Sequence, residues 1–302
     1  MSGSKVVVDV DGRAVALTNL EKVLYPAAGF AKAQVVDYYT RIAPVLLPHL
    51  AGRALTRKRY PDGVEGSVFF EKNAPRGTPE WVRTERLPSP GSSKGRETID
   101  YVVVDDLATL VWTANLASLE LHTHMWRVDS SGPEPAQAPP DMVVFDLDPG
   151  PPASIVECCR VAGLLRPLLE ADGLSPLAKT SGSKGLQLYA RADGFTSAAE
   201  TSAYAKELAQ RLERDHPDDV VHRMTKSLRP GKVLVDWSQN SAAKTTVSVY
   251  SLRARERPTV STPVTWDEVD ACTAPDELVF TSDDVLQRVE ERGDLFAPLL
   301  SG

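Results

Sequence analysis

The stretch Met142-Val143-Val144-Phe145-Asp146-Leu147-Asp148-Pro149-Gly150 constrains this chain more than any other. Its four-residue apolar run predicts a buried β-strand. The strand then delivers two carboxylates one residue apart, and Pro149-Gly150 stops it. Side chains two apart on a strand share a face, so Asp146 and Asp148 stand side by side at the strand's end. Two like charges that close are costly unless a cation bridges them or one takes a proton. Their hard oxygens suit Mg²⁺ or Mn²⁺. Asp, Pro and Gly are also ordinary turn residues, and on this stretch alone a solvated strand-to-turn junction is the better reading.

A second apolar strand changes the balance. Lys232-Val233-Leu234-Val235-Asp236-Trp237 also ends on an aspartate. If the two strands are neighbours, three carboxylates meet at one sheet edge. Such a set can hold two divalent ions about 3.5–4 Å apart, the arrangement used for in-line phosphoryl transfer. The loop Ser181-Gly182-Ser183-Lys184-Gly185 offers backbone N–H groups and one ammonium to phosphate oxygens. It lacks the glycine spacing and Lys-Ser/Thr order of a Walker A loop. Arg253 follows a strand and can neutralise a triphosphate. His122 is open to three roles: core histidine, partner of a carboxylate, or phosphate contact. Phe69 and Phe70 are consecutive, so on a strand one faces the core and the other points outward, where it can stack on a base.

Net charge is −7, which argues against indiscriminate nucleic-acid binding, yet the basic residues cluster. Arg53, Arg57, Lys58 and Arg59 form one group, Lys226, Arg229 and Lys232 a second, and Arg253, Arg255 and Arg257 a third. A local basic face on an acidic protein can still track phosphates. No apolar run approaches the ~20 residues of a membrane span. The first thirty residues show no secretory signal, so the expected location is cytoplasmic. The three cysteines have no metal-ligand spacing and read as core filling.

Along the chain, residues 5–17 with Asp11-Gly12 at the centre predict a β-hairpin. Capping-box spacing from Thr18 to Glu21 predicts a short helix to about Leu24, stopped by Pro26. Helical periodicity predicts helices over 32–47, 106–121, 155–169, 198–214, 266–270 and 282–292, the last capped by Ser282. Strands are predicted at 54–60, 67–72, 99–104, 186–190 and 246–250. Residues 88–97 read as an exposed, mobile hairpin tip. Residues 131–140 read as a stiff, linker-like loop. That loop is the candidate seam in an otherwise single catalytic domain over 1–302. Strands and helices alternate without a repeat period, which predicts an α/β or α+β enzyme.

At this point a resemblance becomes specific. Asp146-Leu147-Asp148-Pro149-Gly150, Thr180-Ser181-Gly182-Ser183-Lys184-Gly185-Leu186, Val235-Asp236-Trp237-Ser238-Gln239-Asn240 and Tyr250-Ser251-Leu252-Arg253 resemble the polymerase domain of bacterial ATP-dependent DNA ligase D, of the archaeo-eukaryotic primase superfamily. Leu17 to Pro26 and Phe69-Phe70-Glu71-Lys72 resemble its N-terminal portion, and the likeness runs from about residue 15 to 295. It implies an α+β primase-type core of mixed and antiparallel sheets flanked by helices. The implied activity is template-directed addition of nucleotides, ribonucleotides preferred, at breaks and gaps. By resemblance, Asp146, Asp148 and Asp236 are the catalytic metal ligands for two Mn²⁺ or Mg²⁺ ions. His122, Ser181, Lys184, Gln187, Gln239 and Arg253 hold the nucleoside triphosphate. Asn19, Lys22 and Lys32 recognise a 5′-phosphate across the gap, Phe69 and Phe70 stack on the template, and Arg229 contacts primer or nucleotide. The implied partners are 5′-phosphorylated DNA with a gap or 3′ overhang, and ligase and Ku proteins; the implied setting is the nucleoid, with no membrane.

One position departs from the pattern. Many members carry histidine where this chain has Gln187, and glutamine cannot take a positive charge. The chain also ends at Gly302 without the ligase and nuclease domains that ligase D carries, which fits an excised domain and a stand-alone relative alike. Two other classes use parts of the same residues. A non-catalytic DNA-end binding and synapsis module would bind phosphorylated ends without incorporation. A metal-dependent phosphohydrolase would need no template and would leave Phe69 and Phe70 without a role.

Overall fold

The computed structural model describes residues 5–89 and 97–300. Two six-stranded sheets carry an α+β fold. The first runs in the order Val220–Val221, Val233–Asp236, Met142–Pro149, Leu186–Arg191, Leu177–Thr180 and Pro263–Val264. Its neighbours are antiparallel except the first pair. The second runs Thr246–Val247, Ser118–Thr123, Ala54–Arg59, Thr98–Val103 and Thr84–Pro88, with Phe69–Glu71 pairing Ala54–Arg59 off that path.

The alternation of the strand Met142–Pro149 sorts its side chains onto two faces. Val143, Phe145 and Leu147 join one buried cluster with Leu165 and Leu169 of the helix Ile155–Ala171 and with Leu208 and Leu212 of the helix Ala198–Asp215. Burying each such leucine contributes about 1.5–3 kcal/mol. Met142 and Val144 join a different cluster, built on Tyr38, Tyr39, Ile42 and Leu46 of the helix Lys32–Leu50 with Leu119 and Leu121 of the second sheet. Asp146 and Asp148 lie on this second face, turned toward the other sheet. The first helix after the strand starts where Ser154 accepts from Val156 and Glu157 reaches back to the Ser154 N–H. Cys158 and Cys159 are buried on this helix's core face and Cys272 is partly buried against the same cluster, all in core-filling positions. Among the described residues no helix is long and apolar enough to cross a membrane.

Several local expectations fail for physical reasons. No helix forms over 18–24. Thr18 closes the hairpin strand Arg13–Thr18, where its N–H donates to Asn115, and Val23–Tyr25 pairs with Phe30–Ala31. Pro26 leaves room for barely one turn, too little to offset helix nucleation. The helix expected over 106–121 is Leu107–Asn115, because Ala117 takes φ +57° and Ser118–Thr123 turns into a strand. The alternation Leu119-Glu120-Leu121-His122 has period two and is the sequence signal for that strand. The expected loop 131–140 contains the strand Ala136–Pro140, paired with Trp126–Asp129; its prolines sit where a two-stranded ribbon leaves N–H groups unneeded. The strand expected over 246–250 is only Thr246–Val247. Thr281, not Ser282, occupies the cap of the helix Ser282–Arg292. The hairpin tip expected at 88–97 lies largely outside the described residues; its flanks, Thr84–Pro88 and Thr98–Val103, pair antiparallel.

Candidate active site

Asp146 lies directly opposite Asp236 in the antiparallel pair between Met142–Pro149 and Val233–Asp236. The neighbouring-strand condition is therefore met, and the carboxylates share one face. Opposed like charges are destabilising in a ladder. Burial, reinforced by the Asp236 and Asp148 charges, pushes Asp146 up to about 6 against the opposing hydrogen bond from Gln187. The donor set is hard oxygen, and a divalent cation is the natural relief for that crowding.

The other two carboxylates have partners of their own. Asp236 Oδ1 accepts from the Ser238 N–H and hydroxyl, and its Oδ2 accepts from Gln239 Nε2 at 2.9 Å. Asp148 sits 3.3 Å from Lys184 Nζ and 3.5 Å from Arg229 Nη1. Among the described residues no three His, Cys, Asp or Glu groups are gathered as a finished metal centre. The chemistry of the donors fits a cation; Lys184 and Arg229 lie on Asp148, and Ser238 and Gln239 on Asp236. Asn240 fixes the turn after Asp236, exchanging two hydrogen bonds with the Val144 main chain as a strand would.

A cavity of about 290 Å³ opens on this edge. Asp146, Asp148, His122, Ser181, Lys184, Gln187, Gln239 and Arg253 all line it. Asp236 lies just behind, through its bond to Gln239. A larger cavity of about 390 Å³ lies on the far side of the 181–185 loop, but its walls are mostly apolar and it holds no carboxylate pair. In the loop, Ser181 Oγ accepts from the Ser183 and Gly185 N–H groups. Gly182 takes φ +66°, and a Cβ there would meet the Val260 carbonyl carbon at 2.6 Å. Arg253 donates to the Ser181 carbonyl and Arg255 to the Ser183 hydroxyl, which ties the loop to the cationic strap after Tyr250.

Two side chains that support the cavity's cationic wall were missed from sequence. Glu120 is 2% exposed and gathers two cations, Lys58 at 3.0 Å and Arg253 at 3.4 Å, with the His122 ring at 2.9 Å, whose pKa burial lowers. It also accepts from the Ala254 N–H. Burial raises its carboxyl, but His122, Arg253 and Lys58 outweigh that and hold it far below the usual range. The signal was its position two before His122 on an alternating strand. Lys58, noted only as one of a basic cluster, is the other.

The remaining predicted residues fall in three places. Phe69 and Phe70 are both exposed, at 47% and 53%, so neither fills the core as the alternation suggested. Their strand is a short appendage at the sheet's margin, and Phe70 meets the His122 ring edge-on at 5.9 Å. Asn19, Lys22 and Lys32 are drawn into one corner away from the cavity. The Lys32 N–H donates to the Lys22 carbonyl, and the Lys22 N–H to Asn19. Lys22 Nζ rests on Asp62 at 2.8 Å, and Lys32 Nζ on the Thr18 carbonyl at 2.6 Å. Arg229 stands apart from the cavity walls, on Asp148, and its main chain packs so closely on Gly150 that a Cβ there would lie 2.1 Å from the Arg229 oxygen.

A family model described as LigD, primase-polymerase domain, matches residues 31–296. The chain belongs to this family. A curated relative, the multifunctional non-homologous end joining protein LigD of Mycolicibacterium smegmatis, is 44% identical over 285 residues. The bifunctional LigD of Bacillus subtilis is 31% identical over 279 residues. These matches take in 94% and 91% of this chain but only 36% and 42% of the relatives, so the chain spans well under half of each LigD. Among solved structures, the polymerase domain of Mycobacterium tuberculosis ligase D in complex with DNA superposes with a TM-score of 0.88 at 43% identity. That match covers 95% of this chain and 98% of the other. The fold is thus the LigD primase-polymerase fold, and the enzyme class is that of its nucleotidyltransferases.

Proposed function

We propose that the chain acts as one catalytic unit that extends a DNA 3′ end under template direction, at breaks and short gaps, in end-joining repair. The observation that carries this is the opposed pair Asp146–Asp236, with Asp146 on a cavity whose walls also carry Lys184, Arg253 and His122. Anionic ligands at the sheet edge and cations across the cavity are the complement of a metal-bound triphosphate. Two divalent ions, Mn²⁺ preferred, would be held by Asp146, Asp148 and Asp236 and would supply Lewis acidity at the attacking hydroxyl and the departing pyrophosphate. The protein's own work is placement. Arg253 and Lys184 bind phosphate oxygens, and Ser181 shapes the loop that presents them. His122 and Gln239 close the cavity on either side, and Arg229 lies toward the primer. Phe69 and Phe70 offer two ring faces to the template, and Asn19, Lys22 and Lys32 take the 5′-phosphate beyond the gap. Ribonucleotide preference, Ku and ligase partners, and a nucleoid location in the cytoplasm complete this reading, supported by the family alone.

Primer extension on a 5′-phosphorylated gapped duplex with Mn²⁺ tests it. Incorporation should vanish in Asp146→Ala and Asp236→Ala. Persistent incorporation in either would remove the assigned metal ligands. Phosphate-dependent binding with no incorporation by the parent protein would make it an end-binding module instead.

A further inference from the structure

Lys179 is 1% exposed, and the charges that bear on it are those of Arg253 and Asp146. Its Nζ donates to Gln187 Oε1, to the Val247 carbonyl at 3.1 Å and to Ser261 Oγ at 2.7 Å. All three partners accept. The amide oxygen and the carbonyl can do nothing else, and the Ser261 hydroxyl spends its own proton on the Thr180 carbonyl. Three acceptors suit three N–H bonds and favour the ammonium, against burial and the Arg253 charge, which lower its pKa well below the usual lysine range, while Asp146 opposes them. Its remaining contact is the Tyr189 ring, 5.3 Å away.

This ammonium fixes the Gln187 amide. With Oε1 turned to a cation, Nε2 must face the other way, and there it donates to Asp146 Oδ1 at 3.1 Å. Gln187 therefore bridges a buried cation and the central carboxylate of the site, with its dipole aligned to both. We infer that Lys179 is a positioning residue: acting through Gln187, it holds the Asp146 carboxylate by Oδ1 and leaves Oδ2 for the cation. Gln187 belongs to this relay rather than to the triphosphate. A histidine at 187 would serve as well, accepting from Lys179 at one ring nitrogen and donating to Asp146 from the other, so the departure at this position conserves the relay.

The inference rests on the metal-site reading above, and one experiment separates the two. Mn²⁺ binding to the full chain is titrated by electron paramagnetic resonance, without substrate, in the parent protein and in Asp146→Ala, Gln187→Leu, Lys179→Met, Gln187→His and the Lys179→Met/Gln187→Leu double variant. Groups that orient a metal ligand typically cost about 10–100-fold in affinity when removed, and that loss is expected for Gln187→Leu and for Lys179→Met. The double variant should lose no more than either single one, because both break the same relay. Gln187→His should bind near the parent level. If Lys179→Met binds as the parent does, or if the two losses multiply, the relay is wrong. If Asp146→Ala itself binds Mn²⁺ normally, the metal site fails and not merely the relay. Should Lys179→Met not fold, the Lys179 ¹⁵Nζ resonance of the parent protein is followed during Mg²⁺ addition. A shift supports the relay, and an unmoved resonance under saturating Mg²⁺ overturns it.

Discussion

Asp146 and Asp236 are cross-strand partners, two carboxylates opposed in register at the edge of a sheet. Such a pair lowers the stability of the metal-free fold, a cost that the proposed metal site explains. Asp146→Asn removes one charge while keeping the shape. Its metal-free melting temperature should rise above the parent's, while nucleotide incorporation should be lost. Added Mn²⁺ should raise the melting temperature of the parent and leave Asp146→Asn almost unmoved. Differential scanning fluorimetry with EDTA or Mn²⁺ reads both effects, and a less stable Asp146→Asn would contradict the charge argument.

Glu120 is the hub of the cationic wall, with Lys58, His122 and Arg253 around one buried carboxylate. Glu120→Gln keeps the size and removes the charge, which leaves Lys58 and Arg253 without their common counter-charge and His122 without its anionic partner. Breaking a buried ion pair from one side costs about 3–5 kcal/mol, so the urea midpoint should fall sharply. The KM for nucleoside triphosphate should rise as well, since Glu120 aims both His122 and Arg253. A variant with unchanged KM would reduce Glu120 to a purely structural residue.

Much of this site was legible in the sequence because strands have period two. Asp146 and Asp148 could be placed on one face from spacing alone, and so could the end of Val233–Asp236. What spacing cannot supply is which strands are neighbours, and the Asp146–Asp236 register had to come from the fold. Glu120 stayed hidden for a different reason. An amphipathic pattern over 107–121 can be read as one long helix, and Ala117, whose left-handed conformation breaks it, carries no glycine or proline to announce the break. Gln187 was read as a nucleotide contact from the resemblance alone, and it does line the cavity. Its bonds to Lys179 and Asp146 depend on three strands meeting, which no local pattern encodes.

Phe69 and Phe70 are among the most exposed large apolar side chains of the described residues. They lie on a three-residue strand at the margin of the second sheet. Replacing either by alanine should leave folding stability within about 0.5 kcal/mol, as for other surface positions. Binding to gapped DNA should weaken by about 1–3 kcal/mol for each base that loses its stacking partner. Fluorescence anisotropy with a gapped duplex, run beside a denaturant curve, separates the two effects. Equal losses in stability and binding would assign both rings to the fold instead.

Lys32 gives the proposed 5′-phosphate corner a pH signature. Burial first, then the charges of Lys22 and Arg59, lower its ammonium to about 8. An ordinary lysine titrates near 10.4, so Lys32 loses its proton well before an ordinary lysine does. Folding itself disfavours that charge, and this contribution makes the protein more stable as pH rises from about 8 toward the unfolded value. Phosphate recognition has the opposite sign, because the dianion binds the protonated ammonium and draws a proton onto it above pH 8. The affinity ratio between 5′-phosphorylated and 5′-hydroxyl gapped duplexes should therefore be greatest at pH 7 and should fall through pH 8 to 9. The phosphate is already dianionic across that range, with its second pKa near 6, so it cannot supply the change. Lys32→Met should flatten the ratio at every pH. A parent ratio that holds steady to pH 9 would take Lys32 out of the phosphate site and leave its bond to the Thr18 carbonyl as its role.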